Sequence, residues 1–386
     1  MDLRNLPESI DSHERCAIRR MQIQEEFGVN LSLLGTEPNR IGQAEEKNCE
    51  QMFGSVPIPV GYAGPLKMTF SSGDTDAISL PLATTEGALV ASVNRGCKAL
   101  SEADVKTSVI YHGISRSIAF GMKKSRNVEM LKLINEKEAQ WNSIGEATSS
   151  HLKILSHDID ESDDYVFLTI NGDTDEAMGM NMITIAAQEI GNWIAKEAEV
   201  ELITIAANVD SDKKPSQRTH DKGRGYEVTA EVILNDDVIT SVLKSKPEAM
   251  LEVYEAKLKT GSKLAGAIGS NLHAANVIAA LYLATGQDAA HTIEGSLTDT
   301  TFERISDTES KVTVRLPAVL VGTVGGGTAL PAQSQCLDLL LKPTTSLSRV
   351  QQLAESIGAA VLAGEVSLLA AQAAHQLASS HKKLAR

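Results

Sequence analysis

Aromatic residues are scarce in this sequence. Two Trp, six Tyr and six Phe make up 4% of its 386 residues, so Ala, Leu, Ile and Val fill the apolar positions, which suits helices packed on aliphatic side chains. Cysteine is scarce too. Cys16, Cys49, Cys97 and Cys336 include no C-x-x-C pair, which argues against a zinc or thioredoxin-like site and for reduced thiols. No run of about 18 apolar residues occurs, and the strongest apolar stretch, 274–284, is too short to span a bilayer. The N-terminus, MDLRNLPESIDSHER, lacks the apolar segment of a secretion signal. These absences point to a cytoplasmic protein. Basic residues are the minority, 36 against 50 acidic, for a net charge of −14. That balance repels polyanions and argues against nucleic acid or an anionic membrane as a partner. Lys213-Lys214 still oppose the global sign locally. No metal-ligand spacing is present.

Hydrophobic residues at 42% and charged residues at 22% are ordinary for a globular chain, and the length suggests two or three domains of about 100–200 residues. Residues 1–50 are polar, with helix around 12–27, and read as a small cap. Residues 55–66, SVPIPVGYAGPL, carry three prolines and two glycines and are extended. A helix is expected from Thr85, capped by Thr84 or Thr85, with Glu86 in its first turn. Segments 108–120 and 163–170 are rich in β-branched and aromatic residues and read as strands, with a charged helix around 126–153 between them. A helix follows Gly179, and 201–207 is again a strand. This alternation between about 118 and 204 reads as an α+β module inserted into a larger domain, 51–117 and 205–386. The last third is helical: 263–286 ends at Gly286 as C-cap, and Leu353, Ile357 and Val361 share one face of a further helix.

Four segments bear on chemistry, and none decides alone. TTEGALVASVNRGCKAL places a carboxylate at a helix start, usually only a dipole interaction. DSDKKPSQ reads locally as a solvated turn. EAMGMNM is a methionine-rich run of the kind that fills cores, although its glycine and the following helix N-terminus suit phosphate. GTVGGGT marks a tight backbone site without the G-x-G-x-x-G spacing of a Rossmann motif.

Read in order with VPIPVGYAGPL, DKKP, HAAN…GQD and LAGEVSLLAAQAAHQLASSH, these segments resemble 3-hydroxy-3-methylglutaryl-CoA (HMG-CoA) reductase, its class I branch more than its class II branch, over nearly the whole chain from about residue 45. The anchor of eukaryotic members is absent, which implies a soluble, prokaryotic form. The resemblance implies a large, helix-rich domain that binds HMG-CoA around a long central helix. It also implies a small ferredoxin-like domain for the dinucleotide, and homodimers or homotetramers with active sites at the subunit interface.

By the same resemblance, Lys213 stabilises the oxyanion formed as hydride reaches the thioester. Glu86 donates a proton at the aldehyde stage, and Asp288 links the two in a buried network. His381 protonates the departing CoA thiolate. His375, roughly 240° away on a helical wheel, is the rival for that last role, and the match of LASSH selects His381. Arg116, Asp212, Lys214 and Asn276 hold the HMG carboxylate or order the catalytic groups, and Arg95 and Lys98 meet CoA phosphates. Glu176, Met178, Gly179, Met180 and Asn181 line the dinucleotide. Ser150-His151 occupy the place where class I members carry an arginine beside a serine. NADPH is therefore expected, with NADH possible and only a weak preference, the 2′-phosphate being left to His151 and to Lys382, Lys383 and Arg386. The chain departs from the family at Gln51, Tyr62, Glu176 and Ala206, in D-A-M-G-M-N for instance at Glu176. The departures at Gln51, Glu176 and Ala206 motivate a competing reading, a catalytically weak paralogue that binds acyl-CoA, and a third reading is a reductase of altered acyl specificity. Retention of Glu86, Lys213, Asp288 and His381 favours the mevalonate-forming reductase.

Overall fold

The computed structural model describes residue 3, residues 6–7, 9–121 and 127–375. Within them the strands are β1 (Val60–Thr69), β2 (Thr75–Ala83), β3 (Val105–Gly121), β4 (Lys153–Glu161), β5 (Tyr165–Asp173), β6 (Glu201–Thr204), β7 (Gly225–Asn235), β8 (Asp299–Arg304) and β9 (Glu309–Val319). The longer helices are α1 (Ser12–Phe27), α2 (Leu89–Ser101), α3 (Asn127–Glu136), α4 (Glu138–Glu146), α5 (Met180–Ala198), α6 (Ala274–Thr285), α7 (Pro331–Leu340) and α8 (Arg349–Ala373).

The fold is mixed α/β and turns on β3. Its first half sits in a sheet of order β2-β1-β3-β7-β9-β8, antiparallel but for a short parallel contact between β1 and β3. The register with β7 shifts between Tyr111 and Gly113. Beyond that bend β3 changes partners to β5 and β6, in the order β4-β5-β3-β6. With α3, α4 and α5 this gives a β-α-β-β-α-β succession around its own core, which includes Ile118, Trp141, Leu168, Ile183 and Ile190.

The larger core gathers on α8, which packs on α2, α6, β3, β7 and β9. By length and composition α8 is the one described helix apolar enough to cross a membrane, and 94% of its most apolar window is buried inside the fold. Leu353, Ile357 and Val361 mark one of several buried faces, so a helix-period reading exposes only part of its burial. Its internal carboxylates are satisfied by neighbouring segments. Glu355 accepts from the Ser71 N–H and Thr107 hydroxyl, at 2.8 and 2.6 Å. Glu365 accepts from the N–H groups of Leu272 and His273 at 2.7 and 2.8 Å, fixing the entry to α6.

Three elements differ from expectation. The helix expected over 126–153 is α3 and α4, followed by β4. That strand pairs only with β5, and an edge strand rich in charge loses the apolar alternation that would reveal it. The helix expected from Thr85 begins at Leu89, after Ala88 at φ +72, so Glu86 lies outside it, just before the turn at Gly87–Ala88, with its N–H on Thr84 Oγ1. The helix expected over 263–286 breaks after Ala265, where Gly266 adopts φ +65, and resumes as α6. Gly286 ends it at φ +71, the expected cap.

Candidate active site

One cleft of about 920 Å³ lies between the start of α5, the end of α6 and the loop Gly322–Thr328. Its wall is the turn Ala177–Met182, which opens α5. Gly179 at φ +86 is the N-cap, and no side chain caps the helix, whose first residues line the cleft. The opposite wall is the loop Gly322–Thr328. These walls are coupled: Ala177 bridges Val324, the Thr323 N–H donates to Glu176 O at 2.8 Å, and a Cβ on Gly322 would lie 2.4 Å from Met178 N. Only glycine permits that approach. Gln287 clasps the loop from below, donating to Gly322 O at 3.0 Å and accepting from its N–H at 2.9 Å.

Met178, Gly179, Met180 and Asn181 all line this cleft. Glu176 does not. Its carboxylate accepts from the N–H groups of Arg349 and Val350, at 3.1 and 3.0 Å, and from the Thr323 hydroxyl. It therefore caps the first turn of α8. Ser150 and His151 also fall outside the lining, whereas Thr148 and Ser149 belong to it. Both Ser150 and His151 are exposed, and His151 Nδ1 lies 3.0 Å from Asp175 Oδ2.

At the mouth of the cleft Lys213 Nζ is 2.8 Å from Asp288 Oδ2. Burial pushes the Asp288 carboxyl up, but Lys213, the Ala290 N–H and His291 together hold it below the usual carboxylate range. Lys213 adopts φ +57, and its N–H donates to Glu294 Oε1 at 2.6 Å. Lys214 Nζ reaches Asp212 O at 2.9 Å. Arg116 donates to Thr184 Oγ1 at 2.9 Å and stands 3.5 and 3.6 Å from Asp210 and Asp212. Burial raises the Asp212 carboxyl, yet Arg224, His291 and Arg116 bring it below its ordinary value.

Glu86 sits elsewhere, in a cleft of about 450 Å³ with Arg95, Lys257, His273 and Asn276 among its lining. Asn276 Nδ2 donates to Glu86 Oε1 at 3.1 Å. Arg95 donates to Ser367 Oγ and O at 3.0 and 2.6 Å, so part of its guanidinium is committed inside the fold. Lys98 is exposed and lines neither cleft. Among the described residues no hydrogen bond or ion pair joins Glu86 to Lys213 or Asp288. The expected buried network is thus divided in one chain, with Lys213 and Asp288 side chains 42% and 36% exposed and Glu86 exposed. His381, Lys382, Lys383 and Arg386 lie outside the described residues. Arg224, Gln287, His291 and Glu294 escape a reading by motif. Only Gln287 has a sequence signal, as the middle residue of GQD.

Comparison with known proteins bears on which chemistry this arrangement serves. The family model "Hydroxymethylglutaryl-coenzyme A reductase" matches residues 15–386. A 3-hydroxy-3-methylglutaryl-coenzyme A reductase of Methanothermobacter thermautotrophicus is 40% identical over 377 residues, covering 97% of this chain and 94% of the relative. One from Methanocaldococcus jannaschii is 38% identical over 383 residues, covering 96% and 92%. Among solved structures, a class II 3-hydroxy-3-methylglutaryl-CoA reductase of Streptococcus pneumoniae, described as bound to NADPH, superposes with a TM-score of 0.69 at 18% identity, covering 94% of this chain and 97% of that one. At that identity the likeness speaks for the fold. With the family model spanning both clefts and the relatives matching nearly end to end, the chain belongs to the hydroxymethylglutaryl-coenzyme A reductase family.

Proposed function

We propose that the protein reduces HMG-CoA to mevalonate and CoA with NADPH, in the cytoplasm, and that its working site forms between two copies of the chain. The observation that carries this reading is the Lys213–Asp288 pair at 2.8 Å on the rim of the cleft walled by Met178–Asn181 and Gly322–Thr328. A dinucleotide suits that cleft. The uncapped α5 N-terminus offers free N–H groups and a positive dipole end to a pyrophosphate, and the glycine loop lets backbone approach closely. On this reading the β4-β5-β3-β6 unit, residues 118–204, is a ferredoxin-like dinucleotide domain. Residues 51–117 and 205–386 form the HMG-CoA domain, and 1–50 the cap.

Two molecules of NADPH, bound in turn, would each supply one hydride, because a thioester reaches an alcohol through a hemithioacetal and an aldehyde. Lys213 presents its ammonium to the developing oxyanion, a contact of a kind worth about 3–4 kcal/mol, and Asp288 orients it. Glu86, positioned by Asn276, delivers a proton to the aldehyde oxygen. That role needs a carboxyl sheltered from water, and a second copy laid over Glu86 would supply the shelter. Arg116, Asp212 and Lys214 order the Lys213 side of the site, Arg95 and Lys98 meet CoA phosphates, and His381 protonates the leaving thiolate. Lys213 is the only described cation lining the cofactor cleft, so NADPH is preferred over NADH by a modest factor.

The division of the catalytic groups gives the test. Glu86→Gln and Lys213→Ala are each expected to be inactive with unchanged circular dichroism. Mixed after reversible dissociation, they are expected to regain about a quarter of wild-type activity, since half of randomly assorted dimers are mixed and each mixed dimer holds one intact site of two. Full activity in Lys213→Ala sinks the assignment, and absence of recovery places the whole site within one chain.

A further inference from the structure

Beneath Lys213 lies a buried charge cluster that the proposed chemistry does not use. Glu294 has no solvent exposure, nor does His291, and Arg224 is 2% exposed. Glu294 Oε1 accepts from three donors: the Lys213 N–H at 2.6 Å, Arg224 Nη1 at 3.0 Å and His291 Nδ1 at 3.3 Å. Arg224 also reaches Asp212 Oδ1 with both terminal nitrogens at 3.1 Å, and donates through Nε to Ser115 Oγ at 2.8 Å. The far side of the His291 ring, Nε2, stands 3.8 Å from Asp288 Oδ2. The cluster therefore touches both members of the Lys213–Asp288 pair, one through its backbone and one through its carboxylate.

Asp212, His291 and Glu294 bring three ligand-type atoms within 4.8 Å of one another, an arrangement a metal ion can use. Here Arg224 already lies between the two carboxylates and provides the positive charge. Three donors converge on one oxygen of Glu294, and one of them is the Lys213 N–H. Lys213 adopts φ +57, a left-handed conformation that a side chain with a Cβ takes only when its surroundings hold it there. The Glu294 carboxylate holds that N–H, and with it the backbone from which the ammonium reaches Asp288.

We propose that Glu294, held by Arg224 and His291, is a positioning residue for Lys213, fixing the backbone from which the ammonium reaches the reacting oxygen. This rests on the reading of Lys213 as the oxyanion's partner. Loss of comparable supporting contacts costs about tenfold to a hundredfold in rate.

The test is a single-turnover measurement of hydride transfer to HMG-CoA by Glu294→Gln, beginning from enzyme saturated with NADPH. The rate constant is expected to fall about tenfold or more, while the amplitude per chain and the KM for HMG-CoA stay within about threefold. A merely structural role lowers the amplitude and leaves the rate constant alone, and that result overturns the proposal. Should Glu294→Gln fail to fold, Glu294→Asp keeps the charge opposite Arg224 but withdraws the carboxylate from the Lys213 N–H. It is expected to show the same slowed rate constant, and a wild-type rate constant overturns the proposal. Failure of the wild-type protein to reduce HMG-CoA defeats the underlying reading instead, a separate and recognisable outcome.

Discussion

Glu176→Ala separates two roles for one residue. The resemblance places Glu176 against the dinucleotide, but its carboxylate caps α8, accepting the N–H groups of Arg349 and Val350, while Ser348 Oγ accepts that of Gln351. Glu176 thus satisfies two of the orphan donors at the start of a buried helix of 25 residues. Losing a cap costs about 1 kcal/mol, and each donor left without a partner away from water costs about 1–3 kcal/mol. Arg349 is exposed and Val350 is buried, so water replaces one partner and not the other. The total is about 2–4 kcal/mol. Glu176→Gln keeps an acceptor oxygen and loses less, about 1 kcal/mol. Urea unfolding followed by circular dichroism reads both variants, with NADPH titration alongside. The account expects the unfolding midpoint to fall in the order wild type, Gln, Ala, with NADPH affinity following because Thr323 and the glycine loop lose their anchor. An unchanged midpoint in Glu176→Ala together with a large rise in the NADPH Kd refutes the capping argument and restores Glu176 as a ligand.

Two further substitutions probe the scaffold. A Cβ on Gly96 would lie 2.0 Å from Ala363 O, so Gly96→Ala forces α2 from α8, breaks the Arg95–Ser367 contacts, and is expected to cost about 3 kcal/mol or more; unchanged unfolding contradicts this. His220 is pushed down by burial, but Asp221 and Asp299 at 3.0 and 2.7 Å hold its imidazole above the ordinary 6.5. A raised value means the stabilisation is complete below about pH 6.5 and fades as pH rises through the folded value. His220→Gln should therefore lose more stability near pH 5.5 than near pH 8.5, and equal losses at both tell against it.

Contiguous glycine and methionine motifs were legible in the sequence because close backbone approach demands particular residues in a row. The α5 helix after Gly179 formed as expected, and Met178–Asn181 came to the cleft. That GTVGGGT faces EAMGMNM, through the Ala177–Val324 bridge, has no local signal, since 147 residues separate Glu176 from its partner Thr323. Thr148 and Ser149 line the cleft, whereas Ser150 and His151, the pair the resemblance singles out, lie beside it on the surface. Glu86 and Lys213 read as one network by resemblance, yet the fold sets them in different clefts. Buried charge was the least visible. Arg224 lies 12 residues from Asp212 and 70 from Glu294, and a buried ion pair announces itself only once both partners are known.

The stoichiometry of the reaction distinguishes a four-electron reductase of HMG-CoA from a protein that only binds acyl-CoA. The purified protein is given limiting HMG-CoA and excess NADPH, with cofactor absorbance and product mass followed together. The account predicts two NADPH oxidised for each HMG-CoA consumed, with one mevalonate and one free CoA thiol released. Binding of HMG-CoA without cofactor oxidation, or oxidation only with a different acyl-CoA, contradicts it.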